Sequence, residues 1–310
     1  MRVFYELEHL PSFKNAVITI GTFDGVHRGH QKIIKQLKEE ADVVNGESII
    51  ITFDPHPRKI VQQEPLFLLN TLSEKLHLLE ECGMDNVIVV PFDKKFSSQT
   101  AEEYVKDFLV EKIHPHIIII GYDHRFGKGR TGDYHTLEKY GAQLGFTVKE
   151  ISEEVLNEIS ISSTRIRNAL LSGDIKSANE FLGYSYFLEG EVVEGKKIGR
   201  TIGYPTANIF VDDPDKLIPA IGVYAVKVQI ENRTYNGMLG ISLRPTIEES
   251  TKVSVEVNIF HFHENIYGKI IRIKFIAWLR AEEKFTNLEY LQHALSQDAI
   301  NAKKILYDLD

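Results

Sequence analysis

The sequence predicts an α/β chain of two domains: a doubly wound parallel sheet, then an antiparallel sheet or small β-barrel that ends in a helix. Three observations carry this. The chain has 310 residues, and at ~150 residues per domain that length suggests two. Up to residue 180 or so, short apolar β-branched runs alternate with amphipathic segments, the pattern of parallel strands covered by helices on both faces. Beyond Tyr184 the pattern changes to period-two strands separated by Gly-containing turns. With no low-complexity linker between the two patterns, the boundary falls tightly, giving domains 1–184 and 185–310.

In the first domain Ala16–Ile20, Ser48–Phe53, Asn86–Pro91, Ile117–Ile120 and Phe146–Glu150 are expected to be strands. His30–Ala41, Ser73–Cys82, Ala101–Lys112 and Thr136–Leu144 are the helices between them, and Thr100 with Glu103 forms a capping box. Ser162–Ser172 and Ile175–Leu182 read as two further helices that close this domain. In the second domain the strands are Tyr186–Val193, Val223–Ile230, Thr234–Leu239, Val253–Phe260 and Lys269–Leu279, with a turn at Asn265–Gly268. Leu288, Leu291, Leu295, Ala299, Ala302 and Ile305 then recur at helical spacing, capped by Thr286 with Glu289.

Composition narrows the function. Hydrophobic residues at 43% and charged residues at 26% describe a folded globular chain and exclude disorder. Lys and Arg number 36 against 44 Asp and Glu, a charge of −8 without the basic footprint of a nucleic-acid binder. A small phosphorylated ligand needs only a local pocket and stays compatible. The single Cys82 excludes an internal disulfide or a cysteine zinc cluster. The N-terminus has acidic residues where a signal peptide is apolar, and no apolar run approaches the ~20 residues of a membrane span, so a cytoplasmic chain is expected. The sequon at Asn232 then has no meaning. Nothing specifies an oligomeric state.

The strand Val17–Ile20 runs straight into GTFDGVHRGH, Gly21–His30. Ligands of open α/β sheets sit at the carboxyl ends of strands, so a site belongs on this turn. Gly21, Gly25 and Gly29 let backbone approach a ligand, and a helix beginning near His30 points its positive end there. His27 and His30, three apart, can face the same way and stabilise charge on a phosphate during nucleotidyl transfer. A Gly-rich turn with helix-capping histidines has the same spacing. Two histidines without a third ligand make a poor zinc site. ISSTRIR, Ile161–Arg167, reads as another helix start, where Arg165 and Arg167 oppose the helix dipole unless an anion sits among them. A Ser N-cap followed by solvated arginines fits equally well. Gly127–Gly132 matches GxGxxG, but Tyr122–Phe126 intervenes where a dinucleotide site needs a tight turn. Gly190–Lys197 resembles a P-loop without the Ser or Thr that would hold magnesium.

In the second domain, Gly195–Asn208 reads GKKIGRTIGYPTAN, a flexible basic loop before a Pro-fixed turn. Thr206 and Asn208 are two apart and, in an extended segment, face one side, where they could share a magnesium ion. An ordinary basic hairpin loop would read the same. Along Val253–Phe260, Ser254, Glu256 and Asn258 fall on one face, so Glu256 is either solvated or placed for base chemistry.

These strings carry a resemblance. HRGH fits the HxGH box of the nucleotidyltransferase superfamily, and ISSTRIR its second, phosphate-binding box. GTFDGVHRGHQ, TFDPHP (Thr52–Pro57) and GYDHRFGKG (Gly121–Gly129) resemble the FMN adenylyltransferase module of prokaryotic FAD synthetases. This implies a Rossmann-like domain that transfers AMP from ATP to FMN and releases pyrophosphate. His27 and His30 would be catalytic, with Gly21, Phe23, Gly29, His30, Asp123, Ser163, Thr164 and Arg167 on ATP and Asp54 by the flavin. His124 stands where this family more often has Phe. GRTIGYPTAN, PAIGVYAV, SLRPTI, VEVNIFHF, YGKIIRIKF and LRAEEKF occur in the order found in riboflavin kinases. That implies a six-stranded barrel that phosphorylates the 5′-hydroxyl of riboflavin. Gly199, Gly203, Thr206 and Asn208 would bind ATP, Thr206 and Asn208 the Mg²⁺, Glu256 would be the base, and Arg280 would lie on the flavin side. Leu239-Gly240-Ile241 departs from the family's usual Asn-Val/Ile-Gly. The resemblance as a whole implies a bifunctional enzyme that makes FMN and then FAD. A chain with one working half, or a flavin sensor, is the alternative.

Overall fold

The computed structural model describes the chain apart from residues 62–65, 122–123, 152, 196–197, 202, 246–250, 286 and 308–310. Contacts divide it into two units, Met1–Ser163 and Thr164–Asp310.

In the first unit the apolar runs form a parallel sheet of β1 (Arg2–Phe4), β2 (Val17–Ile20), β3 (Ser48–Asp54), β4 (Asn86–Pro91), β5 (Ile117–Gly121) and β6 (Thr147–Ile151). The spatial order is β1-β4-β3-β2-β5-β6. β2 and β5 are buried at every residue because helices cover both faces, which is why they read as unbroken apolar runs rather than alternating ones. The three-residue β1 is too short to carry a periodic signal. From β2 the chain winds outward through β3 and β4, and from β5 it winds the other way to β6. The crevice beyond the carboxyl ends of β2 and β5 is therefore the topological switch point. The segment expected to be a helix from Ala101 is α-helical only over Ala101–Glu103, with the capping box in place, and winds as a π-helix over Tyr104–Ile113. Bonding of i to i+5 brings residues four apart nearly into line, and Tyr104 and Phe108 both pack on Phe96, with ring centroids 6.1 and 5.1 Å away.

In the second unit β7 (Phe187–Val193), β8 (Ala207–Phe210), β9 (Gly222–Ile230), β10 (Arg233–Pro245), β11 (Thr251–Ile259) and β12 (Ile270–Ala281) close into a barrel in the order β10-β11-β8-β7-β12-β9. All its ladders are antiparallel. β10 runs past the expected end at Leu239, its ladder with β11 continuing unbroken through Gly240 to Pro245. β8 was not foreseen; it is short and follows a short helix, Ile198–Thr201. The terminal helix Leu288–Tyr307 packs Ala299, Ala302 and Leu306 on Ala225, Met238 and Phe260. Its expected cap at Thr286 lies outside the described residues.

Two expectations change here. The helix expected to open at Ser162 begins at Glu153 and runs to Ser172. No Gly or Pro interrupts residues 153–161, so nothing starts a new helix at Ile161. The dipole argument for an anion at that point falls away with it. The helix Ile175–Leu182, expected to close the α/β domain, is tied to the barrel. Asn179 Nδ2 donates to the Phe275 carbonyl at 3.0 Å, and its Oδ1 accepts the Tyr186 N–H at 2.7 Å. Ala220 N–H likewise reaches the Leu170 carbonyl at 2.9 Å.

Candidate functional site

The turn after β2 carries a paired imidazole. His27 is the N-cap of the helix Arg28–Val43, its Nδ1 accepting the His30 N–H at 3.4 Å. That bond assigns the ring proton to Nε2, which donates to Ser163 Oγ at 3.1 Å. The capping reading and the site reading thus hold at once for His27. The His30 ring stacks on it with centroids 3.8 Å apart and lies 5.0 Å from the Phe23 ring. His30 is buried, and among the described residues its Nδ1 has no hydrogen-bond partner. Burial first, then the neighbouring His27 and Lys75 charges, hold its pKa well below the ordinary 6.5, so it is neutral in the resting protein. Phe23 holds a φ of 49°, left-handed backbone that non-glycine residues seldom adopt. Gly21, Phe23 and His30 line a cleft of about 370 Å³ with Gly121, His124 and Arg130, while Gly29 is buried beneath.

Sequence reasoning missed the groups that brace this turn. Lys75, on the helix Leu72–Glu81, is buried and donates to the Thr22 carbonyl and to Thr52 Oγ1, each at 3.1 Å. Burial lowers its pKa, while Asp24 and Asp54 pull the other way. Asp24 Oδ1 accepts the N–H groups of Leu69 and Asn70 at 2.9 and 3.3 Å. The available signal was a lysine inside an apolar stripe, three and four residues from Leu72, Leu78 and Leu79.

Of the remaining residues singled out for this half, Asp54 stands exposed at the end of β3. Asp123 lies outside the described residues, and so does the side chain of Ser162. Thr164 and Arg167 fall in the second unit. A second cleft of about 700 Å³ is walled by Phe53, Phe92, Phe96, Tyr104 and Phe126. Tyr104 stacks on Phe126 at 4.8 Å, and Phe92 meets Phe53 edge-on at 5.3 Å. Flat aromatic walls suit a planar ring system.

The barrel site is built from one ladder. Asn208 on β8 sits directly opposite Glu256 on β11. Thr206 Oγ1 donates to Glu256 Oε2 at 3.0 Å. The polar face of β11 is therefore not a solvated face: Glu256 is half-buried, and the buried Asn258 donates to the Pro205 carbonyl at 2.6 Å. Gly199 is obligatory, since a Cβ there would collide with the Tyr204 carbonyl, and Gly203 turns the loop at a φ of 85°. Thr206, Leu239, Glu256 and Arg280 line a cavity of about 320 Å³. Arg280 is locked by a bidentate pair with the buried Asp298, Nε–Oδ1 at 2.9 Å and Nη2–Oδ2 at 2.8 Å. Asp298 falls on the terminal helix with no motif to mark it, and is buried. Thr206 also lines a neighbouring cavity of about 510 Å³ with Arg200, Phe262 and Tyr267. Among the described residues no group of three or more His, Cys, Asp or Glu could hold a metal ion. The donors at Thr206, Asn208 and Glu256 are oxygens, the set a hard cation shares with phosphates.

Comparison with known proteins matches both halves. The family model for FAD synthetase covers residues 10–165, and that for riboflavin kinase covers residues 182–306. A bifunctional riboflavin kinase/FMN adenylyltransferase of Listeria monocytogenes is 37% identical over 96% of this chain and 94% of its own length. The protein of that name from Escherichia coli K12 is 34% identical over 98% and 96%. A solved structure described as a macrolide-efflux protein from Streptococcus pneumoniae aligns with a TM-score of 0.84 at 29% identity, covering 97% of this chain and 98% of that one. Among the described residues no helix is long and apolar enough to cross a membrane.

Proposed function

The chain belongs to the family of bifunctional riboflavin kinases/FMN adenylyltransferases, and from that premise we propose which residues carry each step. The enzyme phosphorylates riboflavin to FMN with ATP, then transfers AMP from a second ATP to FMN, giving FAD and pyrophosphate. The kinase step belongs to the barrel and the adenylyl step to the parallel-sheet domain, with the division at 184/185.

In the barrel, Glu256 accepts the proton of the riboflavin 5′-hydroxyl as that oxygen bonds to the γ-phosphorus and the bond to ADP breaks. The supporting observation is the Thr206–Glu256 hydrogen bond beside Asn208, which ties the carboxylate, on the wall of one cavity, to the threonine that lines both. Thr206 commits its proton to Glu256 and keeps its lone pairs. With the Asn208 side-chain oxygen and the phosphates of ATP, it fits the oxygen shell of a Mg²⁺ ion, which would offset the charge of the transferring phosphoryl group. Arg280, held rigid by Asp298, lines the flavin cavity. Gly199 and Gly203 shape the loop over the nucleotide.

In the parallel-sheet domain, a phosphate oxygen of FMN bonds to the α-phosphorus of ATP as the bond to pyrophosphate breaks. His30 donates a hydrogen bond to the charge that develops, backed by the stacked ring of His27, beside Gly21, Phe23 and Gly29 and the helix N-terminus. Ser163 orients His27; a role for Asp123, Thr164 and Arg167 on ATP rests on the motif resemblance alone. The flavin ring occupies the aromatic cleft, with Asp54 at its edge. Flavin chromatography after incubation with riboflavin, ATP and Mg²⁺ tests the assignment: Glu256→Gln should stop at riboflavin and His30→Ala at FMN.

A further inference from the structure

The cleft over the His27–His30 turn and the aromatic cleft share three lining residues, His124, Arg125 and Arg130. All three present N–H donors, and two are permanent cations. Among the described residues that line either cleft there is no carboxylate. We propose that Arg130, together with Arg125 and His124, holds the phosphate of FMN at the junction of the clefts and makes this site select FMN over flavins that lack a phosphate. The inference rests on reading the aromatic cleft as the flavin's and the histidine cleft as the nucleotide's. If ring and nucleotide occupy those two spaces, the phosphate that joins them lies where the spaces meet.

The loop is built to present Arg130. Its backbone φ is 59°, left-handed for a residue with a Cβ, between Gly129 at 66° and Thr131. Arg130 N–H closes a turn onto the Gly127 carbonyl at 2.9 Å, and Lys128 N–H bonds the Gln99 carbonyl at 2.6 Å. Phe126 and Gly132 exchange two backbone bonds at 3.1 and 3.0 Å, pinning the base of the loop. Gly127 lies so close to Ala101 that a Cβ would come within 2.7 Å of its nitrogen. On this fixed loop the Arg130 side chain makes no hydrogen bond or ion pair among the described residues, so its donors are open to an anion. Arg125 is partly engaged, donating to the His124 carbonyl at 3.1 Å. The Gly127–Gly132 string, whose spacing mimics a dinucleotide fingerprint, is on this account an arginine-presenting loop.

Steady-state FAD formation from FMN and ATP by the intact chain tests this. Lumiflavin serves as a competitive inhibitor that has the ring but neither phosphate nor a hydroxyl for the kinase to phosphorylate. Arg130→Gln should raise KM for FMN ~10–100-fold, the scale of a lost charge-assisted bond. KM for ATP and Ki for lumiflavin should stay within about twofold. Arg130→Lys should recover part of the loss. An unchanged KM for FMN overturns the proposal. So does a parallel rise in lumiflavin Ki or in KM for ATP, which would make Arg130 a structural support of the cleft. Phe96→Ala separates the proposal from its premise. It should raise both the lumiflavin Ki and the KM for FMN. If Phe96→Ala moves neither, the aromatic cleft is not the flavin's; if it moves both while Arg130→Gln moves nothing, the arginine assignment alone fails.

Discussion

The two halves build their candidate sites by opposite construction. In the parallel-sheet domain the polar groups come from segments far apart in the chain: His27 and His30 after β2, Thr52 on β3, Lys75 on a helix, Arg130 beyond β5, and Ser163. An open sheet has one place where such segments converge, the carboxyl ends of its strands, and its helices and loops must be braced there. The Lys75–Thr22–Thr52 bonds are that brace. In the barrel, Asn208 and Glu256 are neighbours across one antiparallel ladder and Thr206 is two residues from Asn208, so register alone assembles the candidate cluster. A ladder positions groups to a fraction of an ångström without long-range braces. The chemistry of the barrel should therefore hang on single side chains, and that of the sheet should be spread over several.

That difference is tested most strongly at Glu256. Glu256→Gln keeps the size and the Thr206 partner but removes the base, and FMN formation should fall ~10²–10⁴-fold. FAD formation from supplied FMN should be unchanged. FMN appearing at the normal rate would reduce Glu256 to a structural partner of Thr206. Next in size is His30→Ala, which should slow FAD formation ~10²–10³-fold and leave the kinase intact. A fall as deep as that at Glu256 would erase the proposed contrast between concentrated and distributed sites.

Cutting the chain sharpens the comparison further. We expect residues 1–184 to convert FMN to FAD and residues 185–310 to convert riboflavin to FMN. The second fragment pays with stability, because residues 164–182 pack on the barrel. Leu170, Ala178 and Leu182 are buried, Gly173 abuts the Trp278 ring, and Asn179 bridges Tyr186 and Phe275. At ~1.5–3 kcal/mol per buried leucine, fragment 185–310 should melt ~10 °C or more below fragment 164–310. Thermal melts of both, with kinase assays alongside, decide it. Equal melting temperatures would mean that these helices do not support the barrel.

How much of this was legible in the sequence follows the same division. Both domain classes showed in the change from unbroken to alternating apolar runs, because burial on two faces or one writes directly into residue type. Strand spacing put Thr206 with Asn208, and Ser254 with Glu256 and Asn258, on shared faces, but it left a solvated face as good a reading, and only the motif resemblance singled out Thr206, Asn208 and Glu256. Lys75, Asp24, Arg130 and Asp298 were not. Their roles depend on which distant segment each one meets, and a lysine on an amphipathic helix or an aspartate on a terminal one has an ordinary surface reading. The helix start expected at Ser162 failed for a related reason. Serine and arginine mark a helix start only where the chain before them is not already helical, and residues 153–161 carry no Gly or Pro to interrupt it.

The smallest expected effect concerns the buried imidazole. The pKa of His30 lies below 6.5 in the folded chain, chiefly through burial and then through His27 and Lys75. Between 6.5 and that lower value, the unfolded chain binds a proton at this residue that the native chain refuses. Unfolding therefore takes up a proton in this window, and stability must fall as the pH drops from 6.5 toward the native pKa. The slope from one such group is at most ~1.4 kcal/mol per pH unit. Other carboxylates and histidines titrate nearby, so the informative quantity is the difference between wild type and His30→Ala. Denaturant unfolding at pH 7.5 and pH 5.5 should show the wild type losing more stability than the variant, by up to that slope over the interval. Glu256→Gln, which leaves the paired imidazoles untouched, should keep the wild-type dependence. If wild type and His30→Ala lose stability in parallel, His30 does not sit neutral in the native protein. The rate loss in His30→Ala would then have to come from a charged imidazole already in place before the nucleotide arrives.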